Sequence, residues 1–345
     1  MPLFLAIARD ELGDDNESMG LLLKALRRYQ QADRSFMRPA GQILLQHGNA
    51  ILRSAAGIDA VPDAAPSRII FVPSPINAPY VLDMDADCSL MAWLHNHGLA
   101  SGLVDWGRTE TADRSDDIDS YAHHRLVPLL EALPGPVHLV GYCLGGLVAM
   151  AAACHVRVAS LSLIASPWHF SGYPPARRAE LATMWQTHRS TCAQLGLVPM
   201  EVMQQGFWTL SPAKLIQKYL TFGQMAADSP AARRFVAIED WANGGDPLPF
   251  ALGEQLFERL YGDDITGRGQ WQVGGRDIHA DAVLGPVMEF ASATDDIVPL
   301  ACSPDLPGRV VLGSGHVGMM VGSKAPDQLW PMLKDWILAH EPPKA

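Results

Sequence analysis

The sequence has no apolar run long enough to cross a membrane. The longest apolar stretch, residues 144–154, is of helix length, whereas a spanning segment needs roughly 18 residues. The first seven residues (MPLFLAI) have no basic residue ahead of their apolar part, which is not typical of a secretory signal peptide. These absences predict a cytoplasmic protein without a membrane span.

Basic residues are also scarce. Lys and Arg number 26 and Asp and Glu 37 in 345 residues, so the net charge is −11. An acidic chain without a basic run is a poor nucleic-acid binder, and we expect no nucleic-acid partner. Apolar residues make up 48% and charged residues 18%, which is enough apolar surface for a sizeable core and excludes wholesale disorder.

Cysteines are few and unpaired in sequence. The five are far apart and none forms a CxxC motif, which predicts reduced thiols and excludes a cysteine zinc site of the usual spacing. The histidine pairs at 95/97 and 123/124 have no third ligand at a recognised spacing. We therefore expect no metal.

The order of apolar segments predicts an α/β core interrupted by a helical cap. Residues 21–29 and 41–52 carry apolar residues at helical spacing, and residues 61–67 are typical of a linker. Short β-branched runs then alternate with helical patterns, which predicts a mostly parallel sheet. The alternation lapses between about 167 and 284. The predicted segments are an N-terminal helical segment and linker (1–66), the first part of the core (67–166), the cap (167–284) and the second part of the core (285–345).

The sharpest motif is the segment GYCLGG at residues 141–146. It lies between a predicted strand and a predicted helix, which is the context of a nucleophile elbow. Glycines permit the tight turn, and the N-terminus of the following helix favours a thiolate at Cys143. The Leu144 amide is the expected first donor to an oxyanion.

A nucleophilic cysteine needs a base and a group that orients the base. In α/β cores that carry a nucleophile elbow, the catalytic residues follow one another along the chain in the order nucleophile, acid, histidine. Asp295 and His316 follow the next two predicted core strands in that order. Asp296 is a rival for the acid, although it could instead cap the following turn. The second oxyanion donor is expected from the loop after the first core strand, where Ile76 or Asn77 could supply an amide that the neighbouring prolines lack.

A cysteine at this position keeps a transferred acyl group as a thioester. The acyl group therefore stays activated for a second acceptor, with hydrolysis as the default side reaction. A Cys–His–Asp arrangement thus indicates acyl transfer from a thioester donor, in which His316 accepts the thiol proton and then activates an incoming hydroxyl.

These residues resemble the lipase-like box of the polyhydroxyalkanoate synthases, which carry cysteine in place of serine. The resemblance covers about residues 65–345. Segments similar to the family are 76–83 (INAPYVLD), 105–107 (DWG), 207–208 (FW), 239–241 (EDW), 295–299 (DDIVP) and 315–318 (GHVG). The length of the chain and residues 323–325 (SKA) are similar to the short synthases that work with a second subunit.

The resemblance implies an α/β-hydrolase fold with a mobile cap. It also implies polymerisation of 3-hydroxyacyl-CoA into polyester, with Cys143 as the acylated thiol, His316 as its base and Asp295 as the partner of that base. No metal or organic cofactor is implied, since the coenzyme A thioester is the substrate. A homodimer, a second synthase subunit and association with granules are further expectations. Asp296 stands where many members have histidine.

Two other functions remain open from the sequence. One is a thioesterase or esterase that uses the same triad without polymerising. The other is a non-catalytic homologue that binds acyl chains, granules or a synthase partner.

Overall fold

The computed structural model describes residues 2–37, 40–57, 68–85, 88–135, 137–227 and 229–341. Its centre is an eight-stranded sheet. The strands, numbered in chain order, are β1 (Ile43–His47), β2 (Ala50–Arg53), β3 (Arg68–Val72), β4 (Ala100–Asp105), β5 (Val137–Tyr142), β6 (Ser160–Ile164), β7 (Val287–Ser292) and β8 (Val310–Leu312).

The strand order is β1-β2-β4-β3-β5-β6-β7-β8. The first strand pairs antiparallel with β2, β2 pairs antiparallel with β4, and the other neighbours are parallel. The carboxyl ends of β3, β5, β7 and β8 therefore meet at one edge of the sheet. This arrangement is the predicted α/β-hydrolase architecture, with a mostly parallel sheet.

Helices cover both faces of the sheet and form the cap. They are α1 (Pro2–Leu12), α2 (Asn16–Gln30), α3 (Leu90–Asn96), α4 (Val127–Glu131), α5 (Gly145–His155), α6 (Pro175–Leu195), α7 (Met200–Trp208), α8 (Pro212–Gln224), α9 (Pro230–Asn243), α10 (Phe250–Glu254), α11 (His316–Val321) and α12 (Leu329–Ala339). There are also two π-helical segments. Ser120–Leu126 continues into α4, and Gln255–Gly262 follows α10. None of the helices in these described ranges is both long and apolar enough to span a membrane.

Helix α5 explains why residues 144–154 are apolar on every side. Ten of its residues, from Gly145 to Cys154, are buried. Its small alanines let it pack closely against β5 and the π-helical segment 120–126. The helix therefore holds the turn at residue 143 firmly against the core.

One predicted helix is wrong. Residues 41–52 were expected to be helical, but they form the β1–β2 hairpin at the edge of the sheet. The two-residue turn is Gly48-Asn49, with Gly48 at φ 56°, and such a pair favours hairpins because it accepts a positive φ. Burial along β2 alternates, so two-residue periodicity explains the pattern better than helical spacing.

The cap connects β6 to β7 and consists of α6 to α10 with the π-helical segment 255–262. Helices α1 and α2 pack on α8 through an apolar cluster that includes Phe4, Leu22 and Tyr219. The linker predicted at 61–67 lies outside the described residues. The proposed division into four segments stays a prediction.

Candidate active site

Cys143 lies in the turn between β5 and α5. Its φ is 55°, a left-handed conformation that is uncommon for a residue with a side chain and is often found at functional sites. The Cys143 amide donates to the carbonyl of Ile164 at 2.9 Å, which fastens the turn to β6. Cys143 is partly buried and lines two cavities that cap residues also line.

Two glycines make this sharp turn possible. A Cβ on Gly141 would lie 2.5 Å from Cα of Gly146, and a Cβ on Gly145 would lie 2.2 Å from the carbonyl oxygen of Val72. Both contacts are with backbone atoms, which cannot rotate away. The motif therefore needs glycine at both positions for the close approach of β3, β5 and α5.

His316 and Asp295 come together at the carboxyl edge of the sheet. Asp295 follows β7, and His316 begins α11 after β8. The Oδ2 atom of Asp295 lies 2.6 Å from Nδ1 of His316, and both side chains are buried. The Oδ1 atom of Asp295 accepts from the amides of Ile297 at 2.7 Å and Val298 at 2.8 Å. Asp295 therefore accepts a hydrogen bond from Nδ1–H of His316, and Nε2 of His316 is left for the cysteine.

The two loops that bear the acid and the histidine are joined by hydrogen bonds. The Ser292 hydroxyl donates to the carbonyl of Ser314 at 2.6 Å, and the Thr294 hydroxyl donates to the carbonyl of Gly313 at 3.1 Å. These bonds fix the Asp295 loop against the His316 loop. The distance between acid and base is thus set by rigid loops.

The pKa of His316 reflects its neighbours. Burial disfavours the charged imidazolium, but the negative charges of Cys143 and Asp295 and the hydrogen bonds to them outweigh burial. Together they raise the pKa of His316 from 6.5 to about 10. The raised pKa means that His316 keeps its proton at neutral pH.

The structure places the two candidate acids in different surroundings. Asp295 is buried against His316, whereas the side chain of Asp296 is 54% exposed and forms an ion pair with Lys214 of α8. Only Asp295 contacts the histidine. Of the two candidates, Asp295 is the one that has the contact expected of the acid, and its role stays a prediction.

The expected oxyanion residues surround the thiol. Leu144 directly precedes α5, and within the described part of the chain its amide donates to no protein acceptor. The Ile76 amide donates to the Ser74 hydroxyl at 3.2 Å. The Asn77 side chain donates to carbonyls at the end of α9, at 3.3 to 3.4 Å. Ile76 and Asn77 therefore lie at the site, but their observed hydrogen bonds hold the loop and the cap.

Two cavities meet at Cys143. The first, of about 270 Å³, has a polar mouth formed by α8, α9 and the Asp295 loop. The second, of about 60 Å³, lies under α6, α7 and the π-helical segment 255–262, and its lining is mainly aliphatic and aromatic. Residues that line both are Ile76, Cys143, Phe207, Leu210 and Ile297. Both spaces at the thiol are largely apolar, and the first also has charged side chains in its lining.

Sequence reasoning assigned no role to three tyrosines of the site. The ring of Tyr142 lies 5.1 Å from that of His316, and its hydroxyl donates to the His316 carbonyl at 3.4 Å. Tyr173 and Tyr261 line the second cavity. Tyr142 could have been identified from the sequence because it is next to Cys143, but no local sequence signal identifies Tyr173 or Tyr261.

The described residues contain no group of three or more His, Cys, Asp or Glu side chains placed to hold a metal ion. His123 instead packs against His155, with ring centroids 4.7 Å apart. That pair lies against the Gly274 turn and lines neither of the cavities at Cys143.

The sequence and the fold agree on the family. The sequence model of the alpha/beta hydrolase family matches residues 92–330, a range that includes the elbow, the acid and the histidine. The chain belongs to the alpha/beta hydrolase family.

Among curated proteins this α/β hydrolase is similar to polyhydroxyalkanoate polymerases, which confirms the resemblance seen in its motifs. It is 24% identical over 284 residues to the poly(3-hydroxyalkanoate) polymerase subunit PhaC of Haloferax mediterranei, covering 78% of this chain and 58% of that protein. It is 25% identical over 299 residues to the subunit of the same name from Allochromatium vinosum, covering 81% and 82%. The chain thus spans less than two thirds of the Haloferax protein.

A solved carboxylesterase structure from Nitrososphaera gargenis aligns with a TM-score of 0.48 at 13% identity. The alignment covers 87% of this chain and 98% of that one.

Proposed function

We propose that this α/β hydrolase is an acyltransferase that polymerises 3-hydroxyacyl-CoA into polyhydroxyalkanoate through a Cys143 thioester. The observation that carries the proposal is a cysteine at positive φ on the elbow, beside the buried His316–Asp295 pair. The similarity to polymerase subunits supports the substrate class. Beyond the coenzyme A of the substrate, the proposed reaction uses no cofactor.

In the first step the Cys143 thiolate attacks the carbonyl carbon of the acyl-CoA. A bond forms between Sγ and the acyl carbon, and the bond from that carbon to the coenzyme A sulfur breaks. The departing thiolate takes a proton from the His316 imidazolium. The Leu144 amide would donate to the negative oxygen as it develops, and Ile76 or Asn77 would supply the second donor.

In the second step neutral His316 takes a proton from the hydroxyl of another hydroxyacyl group. The hydroxyl oxygen attacks the acyl carbon, an ester bond forms, and Cys143 leaves as a thiolate. Asp295 holds Nδ1 of His316 through both steps and stabilises the imidazolium each time it forms.

A cysteine nucleophile favours onward transfer of the acyl group, whereas a serine nucleophile would hold the acyl group in a more stable ester. An acyl group on serine would be an oxygen ester, whereas on Cys143 it remains a thioester of the same kind as the substrate. The second transfer, from thioester to ester, is then downhill. The alternative, a thioesterase with the same three residues, differs only in whether water reaches the acyl-enzyme.

The wider setting of the reaction is also proposed. The relatives are named polymerase subunits, which supports a second synthase subunit as a partner. A homodimer, a location in the cytoplasm and contact with polyester granules follow from the resemblance to the synthases.

The test is incubation of the purified protein with 3-hydroxybutyryl-CoA, with and without a candidate second subunit. Coenzyme A release, insoluble polyester and the mass of the intact protein would be followed. Cys143→Ala should abolish all three signals. Cys154→Ala is the matched control, because that buried thiol lies at the other end of α5 and burial raises its pKa. It should leave acylation unchanged.

Release of coenzyme A with polymer, lost only in Cys143→Ala, is the expected result. Release with free hydroxy acid and no polymer would replace the proposal with the thioesterase alternative. If the wild-type protein gains no acyl mass, the proposed function is contradicted.

A further inference from the structure

The second cavity is suited to an acyl group and contains few polar side chains. Leu144, whose amide is the first oxyanion donor, lines this cavity and not the first one. We infer that an acyl-enzyme whose carbonyl binds at that amide extends its acyl chain into the second cavity. The polar mouth of the first cavity, with Lys214 and Lys218, is then left for the carrier part of the thioester.

Two of the polar groups in the second cavity are the phenols of Tyr173 and Tyr261. Their ring centroids lie 5.0 Å apart, and the hydroxyls are within hydrogen-bonding reach of each other. Tyr173 is 4% exposed and donates its proton to the carbonyl of Ile297 at 2.9 Å. The third polar group, Arg177, donates to the carbonyl of Gly206 and to the Thr209 hydroxyl.

Tyr261 is held in place by contacts along its backbone and ring. It belongs to the π-helical segment 255–262, and such segments occur often at functional sites. Arg178 donates from Nε to the carbonyl of Tyr261 at 2.8 Å and from its terminal nitrogen to that of Gly262 at 2.7 Å. The ring packs edge-on against Phe170 at 5.0 Å. Its hydroxyl position is therefore preorganised.

The hydroxyl protons of Tyr173 and Tyr261 determine which ligand group the two phenols can bind. A phenol has one proton and can also accept hydrogen bonds. Since the Tyr173 proton goes to Ile297, the Tyr261 proton is the one that a ligand can receive, and the Tyr173 oxygen is the one that can accept. Burial raises the pKa of Tyr261 to about 12, aided by the negative charge of Cys143 and opposed by hydrogen bonding between the two phenols. The donor therefore stays protonated at neutral pH.

One donor beside one acceptor is the complement of an alcohol. We propose that Tyr261 and Tyr173 select acyl groups that carry a hydroxyl near the thioester, by binding that hydroxyl in the second cavity. This assignment rests on the proposed function, since it assumes an acyl-thioester substrate. A saturated acyl chain fills the same apolar space but has no hydroxyl to bind between the phenols, which then bond only to each other and to Ile297. It lacks the hydrogen bonds that the hydroxylated chain gains and is disfavoured by roughly tenfold.

The experiment compares acylation of Cys143 by 3-hydroxybutyryl-CoA and by butyryl-CoA, which differ by one hydroxyl. The rate of acyl-enzyme formation would be measured by intact-protein mass spectrometry in a single turnover. Tyr261→Phe and Tyr173→Phe each remove one hydroxyl and keep the ring. We expect each to lower the preference for the hydroxylated substrate about tenfold, with the butyryl rate unchanged or raised.

Tyr121→Phe is the control, because Tyr121 is buried against Trp106 and lines neither cavity. It should leave the preference unchanged. An unaltered ratio in Tyr261→Phe, or an equal fall in both rates, with acylation of Cys143 intact, would overturn the assignment of the tyrosines alone. If the wild-type protein is acylated by neither substrate, the proposed function fails and this selectivity fails with it.

Discussion

At the scale of single residues, the same substitution at two adjacent aspartates has very different expected effects. Asp295 contacts His316, whereas Asp296 is exposed and pairs with Lys214. Asp295→Asn would present an amide to Nδ1 and favour the histidine tautomer with its proton on Nε2, which cannot accept the thiol proton. We expect kcat/KM for coenzyme A release to fall by about a thousandfold. Asp296→Asn should change it less than about threefold, because an exposed ion pair contributes little.

The paired variants also test the choice of acid. Both substitutions remove one charge and keep the side-chain volume. Circular dichroism would check that both variants fold like the wild type. Equal losses in the two variants, or a larger loss in Asp296→Asn, would contradict the assignment of Asp295.

The raised pKa of His316 predicts a dependence of stability on pH. The folded-state value of about 10 exceeds the ordinary value of 6.5, so the folded chain holds this proton more tightly than the unfolded chain does. The resulting stabilisation is complete below pH 6.5 and is lost as the pH rises towards 10. We expect the free energy of unfolding of the wild type, relative to His316→Gln, to decrease between pH 7 and 10 in urea titrations. A difference that stays constant over this range would contradict a raised pKa.

The proximity of Cys143, Asp295 and His316 could be predicted from the sequence, but the second cavity could not. Cys143, Asp295 and His316 each follow a core strand, and strand order alone fixes their relative places in this fold. Tyr261 lies in a π-helical segment of the cap, where one added residue per turn alters which side chain faces inward. No local pattern records that register, and the packing of α6 on the segment decides it.

At the scale of elements, the elbow depends on the absence of a side chain at Gly145. A Cβ there would lie 2.2 Å from the Val72 carbonyl oxygen and 2.6 Å from the Pro73 carbonyl carbon. We expect Gly145→Ala to lower the free energy of unfolding by about 3 kcal/mol or more, since β3 or α5 must shift. The measurement is the midpoint of urea unfolding.

Gly20 is the matched control for this substitution. It lies inside α2, and a Cβ there would meet nothing within 4 Å. Gly20→Ala should stabilise the chain by roughly 0.5 to 1 kcal/mol, because alanine loses less backbone entropy than glycine in a helix. A Gly145→Ala protein as stable as Gly20→Ala would show that the turn tolerates a side chain.

The hairpin β1–β2 shows where periodicity misleads. Its residues 43–52 fit helical spacing because leucine and isoleucine recur on both strands. The Gly48-Asn49 pair is the decisive local signal, and it favours a two-residue turn. To predict such an edge hairpin from the sequence, the turn must be identified first and the spacing of apolar residues interpreted afterwards.

At the scale of the whole molecule, the N-terminal helices brace the cap over the active site. Tyr29 at the end of α2 donates to Asp240 of α9 at 2.6 Å, and Arg34 donates to both carboxylate oxygens of Asp240 at 2.7 and 3.0 Å. The neighbouring Glu239 lines the first cavity and pairs with Lys218 of α8 at 2.6 Å. The N-terminal segment is thereby connected to the wall of the cavity beside Cys143.

This connection predicts that one substitution loosens the cap without affecting the sheet. Asp240→Asn removes the charge that matches Arg34, and a charge-assisted hydrogen bond contributes about 1.5 to 3 kcal/mol. We expect faster hydrogen exchange in peptides of α2, α8 and α9, and unchanged exchange in β3, β5 and β6. Asp33→Asn is the control, because Asp33 is exposed and its side chain accepts hydrogen bonds from its chain neighbour Ser35. Acylation of Cys143 should slow in Asp240→Asn alone, since α8 and α9 position the mouth of the first cavity. Faster exchange throughout the sheet would instead mean that the N-terminal helices support the core as a whole.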